Sequence, residues 1–509
     1  MSALMEAIRR SHDPDGPVGD DSPMRVLGRR RLSGAEVIAQ SVATTAPAAS
    51  MVIVPTMLLT HNDAVSGVLL LGGVLALMVA TAVCLSQFTR RMVSPGGLYS
   101  FVFQGLGRRP ALLGGAAIAL KYIASSTLTL YHGTLAVTAL LSACGLDADA
   151  STVKTLVFLT ILAAMGVSLV RGVRLTAIVI LAIETVSLVF IVTLMAVSDA
   201  GQQVPVTPGS GSMAFWLTVV FALAGFESAT FLGSEARRPY VTVTRAVLWT
   251  PILCGVLFLV AGWAALTGRA DILVDIYLHG TSAHTSGLLV ALVQLALACS
   301  WLASSMASTN AASRLLFTMG LDRVLPRTLA TVSGRFRTPV AGVGAAMALA
   351  ATATAVLLSG ADTVLLAPVQ AASRVGLITG YALIAVAAVW FLRRIGELTP
   401  ALVVCGTLTA AGLLCALVAQ LVLSVGRHDA AAPVALALLL AGVAAWPWLL
   451  RRYCSRGLDG MGVFDRADSG DVLPGAAAYG PDASGALVLV AGRSDDPGGS
   501  VEGAGDGLR

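Results

Sequence analysis

The chain has 509 residues, of which 56% are hydrophobic and only 12% charged, with a net charge of +5. A soluble domain carries about 25% charged residues, and a mean hydropathy of +0.83 excludes water as the main solvent of this surface. The seven cysteines are scattered, with no CxxC pair, which excludes a disulfide framework or a zinc site.

Residues 1–32 are polar and basic, with Arg9, Arg10, Arg29, Arg30 and Arg31 and no apolar run of signal-peptide type. Insertion is therefore expected to use the first transmembrane helix itself. A span needs about 20 apolar residues. Twelve are predicted, at 35–59, 64–88, 111–141, 152–170, 175–197, 213–235, 243–267, 285–318, 339–359, 363–391, 400–425 and 430–450. Ala64 to Gln87, Thr338 to Ala361 and Leu398 to Gly426 hold no Asp, Glu, Lys or Arg. Helices are expected throughout, because open strands leave backbone groups unpaired in lipid.

The connections alternate in charge. Arginines cluster at 90–91 with 108–109, at 171 and 174, at 237–245, from Arg314 to Arg337, at 393–394 and at 451–456. The opposite loops carry only Lys154, Arg269 and Arg427. The positive-inside rule then predicts both termini in the cytoplasm of a multi-pass plasma-membrane protein. An even number of spans agrees with that. Residues 455–509, rich in Gly, Asp, Ala and Ser, read as a disordered cytoplasmic tail, with a short apolar run at Ala486 to Ala491.

Two spans are poor continuous helices. The first contains Ser41-Val-Ala-Thr-Thr-Ala-Pro-Ala-Ala-Ser50, and the sixth Phe221-Ala-Leu-Ala-Gly-Phe-Glu-Ser-Ala-Thr230. Pro47 removes a backbone donor and clashes with the preceding turn. The two spans each open a block of five. Paired interrupted helices in two halves point to an inverted-repeat transporter with its substrate at the breaks. Free amides at a half-helix N-terminus favour a carboxylate, and free carbonyls at a C-terminus an ammonium. A zwitterionic α-amino acid satisfies both; the alternative is a pair of kinks for close packing.

Four ionisable residues fall at membrane depth: Lys121, Glu184, Glu227 and Arg374. Each costs on the order of 2.5–3.5 kcal/mol at a helix centre. Two structural ion pairs, or a gating and proton-coupling role for Glu227, both fit that cost. His132 reads as a packing histidine. Ser304, Ser305 and Thr309 read as hydroxyls bonded to the preceding turn. No GxxxxGK[ST], HExxH or GxSxG motif is present, so the chain is expected to be no enzyme. No cofactor, metal or nucleic-acid partner is expected. Energy must come from an ion gradient, from exchange or from the substrate gradient itself.

Three segments in order resemble the amino acid–polyamine–organocation superfamily of permeases, over roughly residues 33–455. Ser94-Pro-Gly-Gly-Leu-Tyr-Ser-Phe-Val-Phe-Gln-Gly-Leu-Gly107 is similar to its GGxYxYxxxxxG stretch. Phe221 to Glu235 followed by Ala-Arg-Arg-Pro239 is similar to its sixth-helix motif. Asn310-Ala-Ala-Ser-Arg-Leu-Leu-Phe-Thr-Met-Gly-Leu-Asp-Arg-Val-Leu-Pro326 with Thr338-Pro339 is similar to its NxxSR…LP…TP segment. The resemblance implies an all-α polytopic protein with a leucine-transporter-type 5+5 inverted repeat: repeats at 33–198 and 213–395, and two additional helices at 398–452. It implies secondary active transport of an amino acid or close derivative by alternating access, proton-coupled or by exchange. Its rivals are a polyamine or organocation carrier and a transport-dead nutrient sensor.

By position, the resemblance gives substrate-binding roles to Thr44, Thr45, Ala46, Ala48, Ala49 and Ser50 in the first helix, and to Phe221, Ala222, Ala224 and Gly225 in the sixth. Phe221 would be a gating aromatic. Glu227, Lys121, Glu184 and Arg374 would gate or couple. The first break departs from the family's Gly-Ser-Gly. Some proton-coupled members place a lysine in the fifth helix; here the ionisable residue there is Glu184. Arg374 would bind a substrate carboxylate or neutralise Glu184 or Glu227.

Overall fold

A capping box opens the first span. The computed structural model of the chain describes residues 27, 32–61, 64–146, 151–198, 212–280, 285–453, 461–462, 478–481 and 487–490, and its first helix, α1, runs Gly34–Thr44. The Ser33 hydroxyl accepts from the Glu36 amide, and the Glu36 carboxylate accepts from the Ser33 amide at 2.6 Å. Before it, Leu32 pairs with Ala236 as an isolated parallel bridge. The helix stops because Ala46 takes a left-handed φ of 44°. Pro47 then starts α2, Pro47–His61. At a first helical position proline has no intrahelical bond to lose, so Pro47 begins a new half-helix instead of kinking a continuous one.

Helices α3 (Ala64–Thr89), α4 (Leu98–Leu106), α5 (Arg108–Ala143), α6 (Ser151–Arg171) and α7 (Val173–Val197) follow. The sixth predicted span also divides. Helix α8 covers Ser212–Ala222, Gly225 has φ 126°, and the remainder is a 3₁₀ helix, Phe226–Glu235, whose ten residues are all buried. Runs of 3₁₀ longer than about 3–4 residues are uncommon, so this one depends on its packing. Then come α9 (Pro239–Leu266), α10 (Asp271–His279), α11 (Gly287–Leu321), α12 (Val340–Val356), α13 (Asp362–Ile395), α14 (Pro400–Gly426) and α15 (Ala431–Tyr453).

Among the described residues, eleven helical stretches are long and apolar enough to cross a membrane. The longest, Val340–Ile395, holds 56 residues. Straight, it would span about 84 Å at ~1.5 Å per residue, far beyond a hydrocarbon core of about 30 Å. Gly360, at φ 98°, breaks it between α12 and α13. The chain is an all-α polytopic membrane protein.

The interrupted helices lie at the centre. The most apolar windows of the first and sixth spans are 78% buried, against 11% for the last. Outward faces carry exposed Leu69, Val186 and Leu408, which hydrocarbon tolerates and water does not. The residues up to Ser22 and from Arg466 onward form a separate unit. Its described residues are two antiparallel strands, β1 (Ala478–Pro481) and β2 (Leu487–Val490), with Ala478 opposite Val490. The apolar run of the tail expected to be disordered is therefore paired as β2. Apart from these strands and Met461–Gly462, that tail lies outside the described residues.

Candidate substrate site at the two helix breaks

The two interruptions touch. A Cβ on Gly225 would lie 2.9 Å from Thr44 Cβ, so only glycine allows both the positive φ and the approach. Hydroxyls hold the contact. Thr44 Oγ1 and Ser228 Oγ are 2.9 Å apart, and Ser41 Oγ donates to the Phe226 carbonyl at 2.8 Å. From α11, Ser304 Oγ donates to the Thr44 carbonyl at 3.1 Å, one of the carbonyls the break frees. The Gly-Gly motif before α4 serves the same place. Gly97, at φ 53°, brings its loop against the 3₁₀ helix, where an added Cβ would meet Thr230 and Phe231 at 2.7–2.8 Å.

At the first break the amides of α2 already have partners. Ala48 N–H donates to Glu184 Oε1 at 3.2 Å, and Ala49 N–H to Ser300 Oγ at 3.2 Å. Ser300 in turn donates to Glu184 Oε1 at 3.0 Å. Ser50 N–H bonds the Ala46 carbonyl at 2.9 Å. The six first-helix residues proposed for substrate, Thr44, Thr45, Ala46, Ala48, Ala49 and Ser50, are all buried. Thr45 turns to the Val42 carbonyl at 2.7 Å and to Cys254 Sγ at 3.1 Å.

At the sixth break Glu227 is held from four directions. Its Oε1 accepts from Lys121 Nζ at 3.1 Å and from Tyr122 OH at 2.6 Å. Its Oε2 accepts from the Gly225 amide at 3.0 Å and from Tyr381 OH. The Gly225 amide also reaches Tyr381 OH at 3.2 Å. Lys121 lies 3.8 Å above the Tyr122 ring, which adds a cation–π contact. Ala224 and Gly225 are buried, while Phe221 and Ala222 are half-buried.

Of the four ionisable residues at membrane depth, the structure pairs one couple, Lys121 and Glu227. The two-pair expectation is corrected. Arg374 makes its hydrogen bond to Thr218 Oγ1 at 3.4 Å and forms no ion pair with Glu184 or Glu227. Glu184 has no cation within ion-pair distance among the described residues, and its Oε2 has no hydrogen-bond partner.

Arg314 stands inside the predicted span 285–318, at the head of the arginine run that continues to Arg337. It is fully buried in α11. Its guanidinium donates to Glu235 Oε1 at 2.7 and 3.1 Å and to Asn310. Asn310 donates to Gln40 Oε1 at 2.9 Å, and Gln40 to the Ala307 carbonyl at 2.8 Å. This network ties α1, the 3₁₀ helix and α11 together at the arginine-rich end. Both charged members stand inside the family-like segments, which was the available signal.

Tyr122, Tyr381 and Ser300 also escaped sequence reading. A tyrosine or serine in an apolar run carries no mark of what it faces. His132 stacks on Trp301 at 5.3 Å, as a packing histidine does. Ser305 and Thr309 join Ser126 of α5 in a hydroxyl cluster, with Ser126 Oγ 2.7 Å from Thr309 Oγ1. The expected bond to the preceding turn holds for Thr309 alone, through the Ser305 carbonyl at 2.8 Å; Ser305 donates to the Ser126 carbonyl and Ser304 to the Thr44 carbonyl, across helices. An apolar groove of about 820 Å³ lies apart from the breaks, between α5, α13 and α15, lined by Leu112, Pro368, Leu438 and Trp446 among others.

A sequence model described as amino acid permease matches residues 37–445, most of the chain and every element of the site. The curated proteins contain no match. The chain belongs to the amino acid permease family.

Proposed function

We propose that this permease is a secondary active transporter of an amino acid or a close derivative, working by alternating access around the two breaks. The observation that carries the reading is how the breaks are capped. The amides at the first break meet Glu184 of the fifth predicted span and Ser300 of the eighth. The Gly225 amide at the sixth break meets Tyr381 of the tenth, and its Glu227 meets Lys121 and Tyr122 of the third. Adding five to one set, cyclically over ten spans, yields the other. That relation is what two inverted blocks of five require. Separate counting of α12 and α13 makes twelve spans, ten in the repeat and α14 and α15 beyond it.

The arginine-rich end is the cytoplasmic one in this reading, so both termini lie in the cytoplasm of a plasma-membrane protein. The Gln40–Asn310–Arg314–Glu235 network then closes the cytoplasmic end, and opening requires it to part. Glu227, bonded to both the break and the third span, links substrate occupancy to that movement. A proton gradient or exchange drives the cycle. Uptake of labelled amino acids and their derivatives into proteoliposomes, with and without an imposed pH gradient, tests the reading. Accumulation of one or more is expected. Absence of transport across a broad panel in either direction overturns it.

A further inference from the structure

The first break carries a carboxylate of its own. A bare half-helix N-terminus attracts an anion through its free amides and the helix dipole. At the start of α2, a helix of 15 residues, Glu184 Oε1 occupies that position, 3.2 Å from the Ala48 amide and 3.0 Å from Ser300 Oγ. Glu184 is only 4% exposed, and its Oε2 is buried with no hydrogen-bond partner among the described residues. The sixth break differs: its Glu227 is neutralised by Lys121 at 3.1 Å. The two breaks have the same form, but among the described residues only the carboxylate of the sixth is paired with a cation.

We infer that Glu184 reverses the selectivity of the first break, so that the ligand presents an ammonium there, and that the transported substrate is an organic amine whose carboxyl group is absent or masked. A ligand carboxylate at the α2 amides would have to displace Glu184 or share two amides with it, and like charges in a dry site repel strongly. An ammonium instead finds Glu184 Oε2 unshared. It also finds the end of α1, whose carbonyls carry the negative end of that helix dipole. The Thr44 carbonyl there already accepts from Ser304, and a carbonyl oxygen has a second lone pair to offer. A buried carboxylate without a cation is costly, so a cationic ligand relieves that cost on binding. This inference rests on the transport reading and narrows its substrate class.

Matched pairs test it on the purified full-length protein: leucine with 3-methylbutylamine, phenylalanine with 2-phenylethylamine, arginine with agmatine. A ligand that binds the native state raises thermal stability. At least one amine is expected to stabilise the wild type at concentrations about tenfold or more below its parent amino acid. Glu184→Gln, close in shape, is expected to weaken that amine about tenfold or more, as loss of a charge-assisted bond does, and to narrow the gap to the amino acid. The wild-type comparison needs no variant and stands if Glu184→Gln fails to fold. Stabilisation by the amino acids at equal or lower concentration than every amine overturns the inference, as does an amine response unchanged in a folded Glu184→Gln. If proteoliposomes accumulate amino acids while no amine binds, the transport reading survives and this narrowing of it falls.

Discussion

Lys121 and Glu227, 106 residues apart, form an ion pair with Nζ 3.1 Å from Oε1 and both side chains almost wholly enclosed. The pair joins the middle of α5 to the first turn of the 3₁₀ helix. Two tyrosines and a backbone amide complete the shell around the carboxylate. Charged groups at membrane depth are otherwise expensive, and this shell makes the cost tolerable.

Removing one member should therefore hurt more than removing both. Glu227→Gln leaves the Lys121 ammonium buried without a counter-charge and is expected to cost about 3–5 kcal/mol. Lys121→Met should cost less, because two tyrosines and the Gly225 amide still satisfy Glu227. The Lys121→Met/Glu227→Gln double variant should recover part of the loss. Unfolding in detergent followed as a double-mutant cycle measures the coupling, and strictly additive costs count against the pair.

The tyrosines make a finer test. Tyr381→Phe removes a hydroxyl that donates to Glu227 and accepts from the Gly225 amide. Hydrogen bonds to charged groups contribute about 1.5–3 kcal/mol. Uptake by Tyr381→Phe is expected to fall about tenfold or more, with the folded structure retained. Tyr122→Phe should act in the same direction. Normal uptake by both would show that the shell around Glu227 plays no part in transport.

Gly225→Ala should be among the most damaging small substitutions. The residue sits at φ 126° and its new methyl would press on Thr44 Cβ at 2.9 Å. Backbone strain of this kind costs on the order of 1–3 kcal/mol before the clash is added. Loss of thermal stability and of uptake are both expected. A stable, active Gly225→Ala protein would mean that the breaks need not touch.

Arg314 and Glu235 offer a test of the closed end. Arg314→Ala is expected to destabilise by about 3–5 kcal/mol, because Glu235 and Asn310 lose a fully buried partner. Replacing both charges with methionine should restore much of that stability. If the network closes the arginine-rich end, the double variant should also raise the reaction of a cysteine placed at Gln40 with a water-soluble thiol reagent. Unchanged labelling would remove the gating role and leave a structural one.

Much of the fold was legible locally. The first span was expected at 35–59 and lies at Gly34–Leu59; the sixth, expected at 213–235, lies at Met213–Glu235. Helices α5 and α13 run longer than their apolar cores, because backbone hydrogen bonding continues past the residues where the hydropathy signal stops. The partners of the ionisable residues were not legible. Glu184 and Arg374 looked available for pairing, yet one caps α2 and the other bonds Thr218.

Composition and backbone chemistry act within a few residues. They determined that the chain lives in a membrane, that it crosses repeatedly as helices, and that those helices break beside Pro47 and Gly225. Which groups meet at the breaks depends on the rotation and depth of helices more than a hundred residues apart. A turn of 100° carries a side chain from one neighbour to another. Only the packed bundle could decide that one break is neutralised by Lys121 while the other holds Glu184 with an oxygen to spare.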